Sequence, residues 1–534
     1  MQRRSKQPHR LTTAPHAGTE GVYMMHLSQI ARERKSNKEQ VFHALGVILL
    51  LLTVIGVFLA LFYRLDASGL TDTDEEWHAT NAWEMFQSGN WTINTHFGSV
   101  DYFNSKPPLN LRAILLSFHL LGVSFFSFKL PSVLAACVTF FLILVVLLKR
   151  QGLMGVLSFA CAFLLLDRCY QYHMFRSGNM DSMFCMWIAL AVWALWRAET
   201  DFRWICLYAF FTGLCFMTKG THVMIPLLIG LLDIPHLRKN WSFRPVIPAC
   251  VLAIVPSLTW AIHRYSFDGT ALFEALLFGE TSQKVTGKPT AEYFAELAHQ
   301  PVVRILLLTL LLCILAKAAA LRNPGKFLRS VRQSISQSWL LWLSFFIPLI
   351  VYSLAGSYFE WYIYPSHIAA AALTGYYCAV LGRILHGTRA EALCIVYLGI
   401  LLLTAFLSCK SLLSSYRAYG TGTAQIDLFN QSLAEAGEQL GQAVYGKHAY
   451  VEEVLDADGI SPRESWHGDE KIYAEYRYKM QCIDRGAEGF QTDPGAILIV
   501  SISRLPDVTE TLREAQTSYT VLSQDASYAV LLRE

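Results

Sequence analysis

Apolar runs long enough to cross a bilayer, allowing about 17–25 residues each, recur through most of the chain. They centre on 41–63, 130–148, 152–168, 182–197, 203–218, 221–236, 246–264, 301–320, 337–355, 361–382 and 391–409, and a further apolar run covers 109–126. Basic residues favour the cytoplasmic side of a membrane, and they arbitrate the last case. With the N-terminus in the cytoplasm and 109–126 not crossing, the clusters Lys149-Arg150, Arg197 to Arg203, Arg238-Lys239, Arg322 to Arg332 and Arg383 to Arg389 all face the cytoplasm. If 109–126 crosses, they move outside. The pattern predicts eleven spans, with 109–126 a helix lying on or dipping into the outer face. The outward segments are then 64–129, 169–181, 265–300 and 410–534. The first and third are too long to be simple turns, and long ordered loops tend to carry function.

The pattern changes at about residue 420. Asp427–Gly441 reads as helix, Ala449–Val454 as strand, Pro506–Ala515 as helix, and Ser527–Leu532 as an edge or half-buried strand, with apolar runs at Ala496–Ser501 and Tyr519–Leu522. A small extracytoplasmic α/β domain over 420–534 follows, large enough for its own core and without a catalytic motif. The chain has no internal repeat, a feature of many secondary transporters.

Composition agrees. Of 534 residues, 53% are hydrophobic and 16% charged, against about a quarter charged in soluble proteins. The net charge of +3 gives no argument for nucleic acid as a partner. The 12 cysteines contain no CxxC pair and fall, bar one, in or beside apolar segments from Cys137 to Cys409. They read as small apolar residues rather than a disulfide framework or zinc cluster. Residues 1–40 form a polar, basic cytoplasmic segment. A cleavable signal peptide would place its apolar core nearer the start, so 41–63 reads as an uncleaved anchor. Met24-Met25 is an alternative start that would leave 1–23 outside the mature chain.

Against this background, charged residues just outside the spans stand out. Asp74-Glu75 follows Leu70-Thr71-Asp72-Thr73 shortly after the first span. It reads either as a solvated acidic turn capping a helix over Glu76–Gln87 or as a carboxylate that accepts a proton at the bilayer surface. Asp181 opens a span at the end of Tyr170-Gln171-Tyr172-His173-Met174-Phe175-Arg176-Ser177-Gly178-Asn179-Met180. A charge there is costly unless solvated or paired; it either caps that helix and pairs with Arg176 or faces a site. Lys106, before Pro107-Pro108, and Lys219, in Thr218-Lys219-Gly220, are point charges suited to phosphate or snorkelling side chains. Tyr362, in Glu360-Trp361-Tyr362-Ile363-Tyr364-Pro365, fits an aromatic belt or a hydroxyl donated to a lipid phosphate. No nucleotide-binding, zinc-protease or serine-hydrolase motif has a convincing setting, and the 16 histidines lack metal-ligand spacing.

Taken together, Asp74-Glu75, Glu84-Met85, Ser88-Gly89-Asn90-Trp91, Tyr102-Phe103-Asn104-Ser105-Lys106-Pro107-Pro108, Leu130-Pro131-Ser132, Asp181, Thr218-Lys219-Gly220 and Tyr362-Ile363-Tyr364-Pro365 resemble the GT-C glycosyltransferases that use polyprenyl-phosphate sugars. The pattern is most similar to the bacterial lipid A 4-amino-4-deoxy-L-arabinose transferases and the dolichyl-phosphate-mannose-protein mannosyltransferase-like proteins. Order and approximate spacing hold across residues 70–370. The resemblance implies an all-α polytopic domain over 41–409 with about 11–13 transmembrane helices, juxtamembrane helices in the outer loop 64–129, and the small α/β domain at the C-terminus. It implies inverting transfer of a sugar from a polyprenyl phosphate to a lipid or protein acceptor at the outer face of a bacterial inner membrane. Asp74 would be the principal catalytic carboxylate, with Glu75 beside it and Asp181 as the second acid. Lys106, Tyr102 and Tyr362, joined by Lys219 and Arg176, would bind the donor phosphate. Trp77 stands where the arabinose transferases carry an arginine, a loss for which Arg176 is a candidate substitute. Ser105 stands where they carry a glutamate before the lysine. The metal-binding histidine of the third outer loop has no evident counterpart near Lys288-Pro289, so no cofactor is assigned and a divalent cation is left open.

Two other function classes compete. A transporter or flippase of a lipid-linked saccharide commonly requires charged residues near mid-span, and none sits there. A membrane scaffold whose tail binds a partner would need neither Asp74 nor Asp181.

Overall fold

A computed structural model describes residues 19–534 except 71, 281, 283, 284, 286, 287, 322, 418–424, 441–443, 456–460, 464, 465 and 467. The basic N-terminal segment and its alternative start at Met24 lie outside the residues whose side chains are described. The chain divides into two units, Met1–Leu52 and Thr53–Glu534. The first holds most of helix α1 (Thr19–Phe62); the second holds everything that follows.

All eleven apolar runs fall on helices. After α1 come α2 (Thr73–Ser88), α3 (Leu109–Leu121), α4 (Phe125–Leu164), α5 (Asp181–Ala198), α6 (Ile205–Lys219), α7 (Met224–Leu237), α8 (Val246–Asp268), α9 (Pro301–Ala320), α10 (Pro324–Gln337), α11 (Trp339–Ala355), α12 (Tyr364–Leu385) and α13 (Glu391–Arg417). By length and composition, seven helical stretches among the described residues suffice to cross a membrane, or eight if α10 and α11, bent by 71°, count as one span.

Two of the seven fold back on themselves. In α4 the backbone leaves helical geometry at Gly152, whose φ of 71° a side chain would resist. Phe140 and Phe163 would lie about 34 Å apart on one straight helix, yet their ring centroids are 5.0 Å apart. Likewise, α6 and α7 turn at Gly220, so that the Tyr208 hydroxyl donates to the Pro226 carbonyl at 2.8 Å rather than sitting about 27 Å away. Opening these two hairpins, and adding α5 (18 residues) and α11 (17 residues), accounts for the eleven segments of the sequence pattern.

Helix α12 is the axis of the bundle, buried from Tyr364 through Leu381. Its small residues let neighbours approach backbone to backbone. A Cβ on Gly375 would sit 2.6 Å from the Gly155 carbonyl oxygen. The run 109–126 resolves into the 13-residue α3, about 20 Å long against a hydrocarbon core of about 30 Å. It does not span; Leu111, Ile114, Leu115 and Phe118 pack against Trp83 and Met85 of α2 and Phe128 of α4.

The C-terminal domain is a sheet with helices on both faces. Its strands are β3 (His448–Leu455), β4 (Ser461–Arg463), β5 (Gln481–Cys482), β6 (Ile497–Ser501), β7 (Tyr519–Gln524) and β8 (Tyr528–Arg533), after a short β1–β2 hairpin (Thr95–His96, Ser99–Val100) in the first loop. The order is β4-β3-β6-β8-β7, with β5 beside β3; β3 and β6 run parallel, β6–β8 and β8–β7 antiparallel. In β6, Ile497 and Ile499 enter a core with Phe429 and Leu433 of α14 (Gln425–Leu440) and Ala474 of α15 (Gly468–Tyr478). Leu498 and Val500 face the opposite way, onto Val508 and Leu512 of α16 (Leu505–Glu514). Strand alternation thus feeds two cores. The expectation of an edge or half-buried strand at 527–532 is corrected: β8 lies between β6 and β7, and Tyr528 to Leu531 are buried.

This domain grips α2. Lys471 donates to Glu84 at 2.7 Å, the Trp83 indole N–H to Glu475 at 2.5 Å, and the Gly468 amide to Glu76 at 2.6 Å. The helix carrying the first acidic pair is therefore held from three sides: by α3, α4 and the C-terminal domain.

Candidate functional site

Helix α2 begins earlier than its apolar pattern suggests. Asp72, not Asp74, is its N-cap, accepting the Glu75 amide at 2.8 Å. Asn179 steadies Asp72 from the second loop, its amide at 3.1 and 3.2 Å from the two carboxylate oxygens. Asp74 and Glu75 therefore lie inside the first turn and point in different directions.

Glu75 turns inward. It is fully buried, 3.7 Å from the Lys129 ammonium, and accepts the Gly178 amide at 2.8 Å. Asp74 keeps 44% of its side chain exposed and meets His173 Nε2 at 3.3 Å. The other nitrogen of that ring, Nδ1, meets Asp181 Oδ2 at 3.1 Å. Asp181 Oδ1 accepts from Lys219 Nζ, which lies 4.8 Å from the centre of the Tyr362 ring. The result is a continuous line, Asp74–His173–Asp181–Lys219–Tyr362, drawn from five segments.

His173 is built into place. Its φ of 61° is left-handed, uncommon for any residue but glycine, though His, Asn and Asp are enriched there. Its ring stacks on Trp361 at 4.0 Å and 11°. Burial alone would favour the neutral ring, but the hydrogen bonds to Asp181 and Asp74 outweigh it and raise the His173 pKa to about 9. The same hydrogen bond from His173 holds the Asp74 carboxyl well below the usual carboxylate range, and Lys106 adds to this. Asp72 is pushed up, chiefly by burial.

Lys106 is positioned by the turn that precedes it. Asp101 accepts from the Trp77 indole (2.7 Å), the Asn81 amide (2.9 Å) and the backbone amides of Phe103 (2.8 Å) and Asn104 (3.1 Å). Asn104 then donates to His78 Nδ1 at 2.9 Å. Burial first, and Lys106 second, lower the His78 pKa to about 3, so that ring is a neutral acceptor. Tyr102 is exposed on the same turn.

Of the residues singled out from sequence, Asp74, Asp181, Lys219 and Tyr362 meet, and Lys106 acts electrostatically on Asp74. Glu75 and Arg176 are turned elsewhere. The Arg176 guanidinium donates to the carbonyls of Ala60, Leu61 and Tyr63 at 3.1, 2.8 and 2.9 Å and stacks on Tyr416. It closes the C-terminal end of α1; the partners of Asp181 are His173 and Lys219. Trp77, in the place of an expected arginine, stacks on His96 at 3.8 Å. His173 is the residue the sequence reading did not single out. Its only signal was its position eight residues before Asp181 in a short polar loop.

Among the described residues, no group of three or more His, Cys, Asp and Glu side chains is arranged to hold a metal ion. The acids here are bridged by an imidazole and an ammonium instead.

Residues 105–260 match the family model described as dolichyl-phosphate-mannose-protein mannosyltransferase. Two undecaprenyl phosphate-alpha-4-amino-4-deoxy-L-arabinose arabinosyl transferases 2 of Pseudomonas fluorescens strains are similar. One is 31% identical over 39% of this chain and 39% of the relative; the other is 29% identical over 63% and 56%. The chain thus spans roughly two-fifths to just over half the length of these relatives. In structure, ArnT from Cupriavidus metallidurans bound to undecaprenyl phosphate superposes with a TM-score of 0.61 at 15% identity, covering 90% of this chain and 97% of that one. Its apo form gives the same score. The fold is that of a polytopic GT-C membrane protein. By sequence the likeness to these families covers part of the chain, and the structural likeness shows a shared fold.

Proposed function

We propose that the chain transfers a sugar, with inversion, from a polyprenyl phosphate to a lipid or protein acceptor at the outer face of a bacterial inner membrane. In this reading the N-terminus lies in the cytoplasm and the C-terminal domain outside. The observation that carries it is the Asp74–His173–Asp181–Lys219 line, assembled beside Lys106 and Tyr362 at the one end of the bundle where α5 and α12 begin and α6 ends.

The acceptor hydroxyl attacks the anomeric carbon from the face opposite the phosphate. The bond from that carbon to the phosphate oxygen breaks, and its electron pair leaves on the polyprenyl phosphate. Lys106, Tyr362 and Tyr102 stabilise the charge that develops there. The acceptor proton passes to Asp74, the half-exposed acid. A carboxylate held this low is a weak base, so the proton moves late, as bond formation acidifies the hydroxyl. Asp181 and Lys219 hold His173, and through it Asp74, in place. Glu75 and Arg176 serve the fold. The printed names of the relatives supply the donor class: undecaprenyl phosphate carrying aminoarabinose.

The test uses full-length protein in vesicles supplied with undecaprenyl-phosphate-linked aminoarabinose and, separately, mannose. Release of undecaprenyl phosphate and labelling of lipid or peptide acceptors are followed. Asp74→Asn is expected to lose about 100-fold or more in rate while folding and inserting normally. Wild-type rates in Asp74→Asn, or carrier crossing the bilayer without sugar transfer, would refute the reading.

A further inference from the structure

The proposed chemistry occupies one end of the helix bundle. A cavity of about 800 Å³ lies deeper in the bundle, between the first arm of α4 and helices α5, α11 and α12. Its lining runs along α5 from Cys185 to Glu199 and along α12 from Pro365 to Arg383. At 1.5 Å per residue these stretches measure about 21 and 27 Å, close to the hydrocarbon thickness of one bilayer, about 30 Å. The cavity is therefore an elongated channel running alongside α5 and α12.

Its two ends differ. Near Cys185 and Pro365, one turn below Asp181 and Tyr362, the wall is apolar or small: Ile188, Ile368, Ala369. At the far end stand Arg150 and Arg383. Arg150 stacks on Trp196 at 3.7 Å, and Arg383 donates to Gln151 at 2.7 Å. Neither is in ion-pair contact with a carboxylate among the described residues; Glu199 acts on Arg150 only at longer range. His236, which also faces the cavity, lies 3.0 Å from the buried Asp233 carboxylate. The indole N–H of Trp339, on the lining of the same end, is buried and has no partner.

Two guanidiniums and an unanswered N–H at the mouth of an apolar channel define a ligand with an anionic head and a hydrocarbon tail. The polarity fixes its direction. A prenyl chain whose phosphate lay at the Asp74 end would bring its apolar tip against the two arginines, whereas a lipid entering from the opposite leaflet matches charge to charge at the mouth and chain to wall within. We propose that this cavity is a second lipid site, which binds an anionic phospholipid of the opposite leaflet with its phosphate on Arg150 and Arg383 and an acyl chain reaching toward Cys185. It does not depend on the proposed transfer reaction.

Native mass spectrometry of the full-length protein, delipidated in detergent and titrated with phosphatidylglycerol, phosphatidylcholine, inorganic phosphate or undecaprenyl phosphate, tests it. The expected result is one phosphatidylglycerol retained about tenfold more tightly than phosphatidylcholine, with inorganic phosphate not retained. The double variant Arg150→Ala/Arg383→Ala is expected to lose the preference between the two lipids. Val192→Trp, which fills the channel and leaves the arginines in place, is expected to lose both lipids; thermal unfolding shows whether each variant is folded. Three results would overturn the proposal: equal retention of the two lipids by the wild type, retention unchanged in both variants, or displacement of phosphatidylglycerol by undecaprenyl phosphate in one-to-one competition, which would make the channel a berth for the donor's tail.

Discussion

Replacing His173 by Asn removes the cation between Asp74 and Asp181 at the least cost to the backbone, because Asn tolerates the left-handed φ of 61° found there. The magnitude follows from the pKa. A rise from 6.5 to about 9 means the folded site favours the protonated ring by about 3 kcal/mol. If the transition state draws on all of that coupling, the variant loses about 300-fold in rate; this is the upper bound. The pH dependence is the sharper readout. The His173 pKa is raised on folding, so its contribution is fully present below about 6.5, the ordinary histidine value, and is lost as pH rises to about 9. The wild type should therefore lose activity and thermal stability together on the alkaline side. His173→Asn should lose that limb. Its Asp74, no longer held down by the imidazolium, should titrate nearer the ordinary carboxylate value of about 3.9, so its acid limb moves up. Rates of undecaprenyl phosphate release from the sugar donor, measured between pH 4 and 10 with thermal unfolding at each point, give both limbs. An alkaline limb that survives unchanged in His173→Asn would show that His173 is not the titrating group.

Other expectations follow from the same contacts. Arg176→Lys loses the planar fork that serves three carbonyls and should destabilise the protein by about 1–3 kcal/mol with an unchanged donor KM; a raised KM at unchanged stability would return Arg176 to the phosphate. Lys471→Met strands Glu84 and Glu475 at a cost of about 3–5 kcal/mol. It should lower both the melting temperature and the transfer rate by loosening α2, with Glu84→Gln/Lys471→Met recovering part of each; an additive double variant would deny the coupling. Glu75→Gln leaves the buried Lys129 without its carboxylate. It should cost stability first and activity only in proportion, whereas a folded, stable and inactive Glu75→Gln would place Glu75 in the chemistry.

The fold was largely legible in the sequence because bilayer thickness and the cost of charge in lipid leave few alternatives. Every apolar run fell on a helix, and the stretch 109–126, which the basic clusters kept out of the spans, holds a helix of 13 residues. The hairpin at Gly152 was visible because Lys149-Arg150 interrupts the apolar pattern there. In the tail, the position of β8 inside the sheet was not visible. A short strand of the pattern Tyr-Ala-Val-Leu-Leu fits an edge or a centre equally well until its partners are known. The grip of the C-terminal domain on α2 was invisible for a similar reason. It joins Glu84 to Lys471 and Trp83 to Glu475 across nearly four hundred residues, and nothing local in either segment announces the other.

The site was legible only in part, and the acidic pair shows why. Adjacent residues on a helix point about 100° apart, so once the chain from Thr73 is helical, Asp74 and Glu75 cannot both face one cleft. What decides between them is the N-cap: with Asp72 in that position, Asp74 is turned toward His173 and Glu75 toward Lys129. The same geometry explains Arg176 and His173. Three residues apart in a loop that leaves and re-enters the bundle, they serve opposite walls: Arg176 the carbonyls at the end of α1, His173 the carboxylates of α2 and α5. A charge-minded reading of that loop favours the arginine, since histidine is neutral at its ordinary pKa. It becomes a cation here only because the fold brings two acids to its two nitrogens, and an acid on each nitrogen is a tertiary fact that no local pattern encodes.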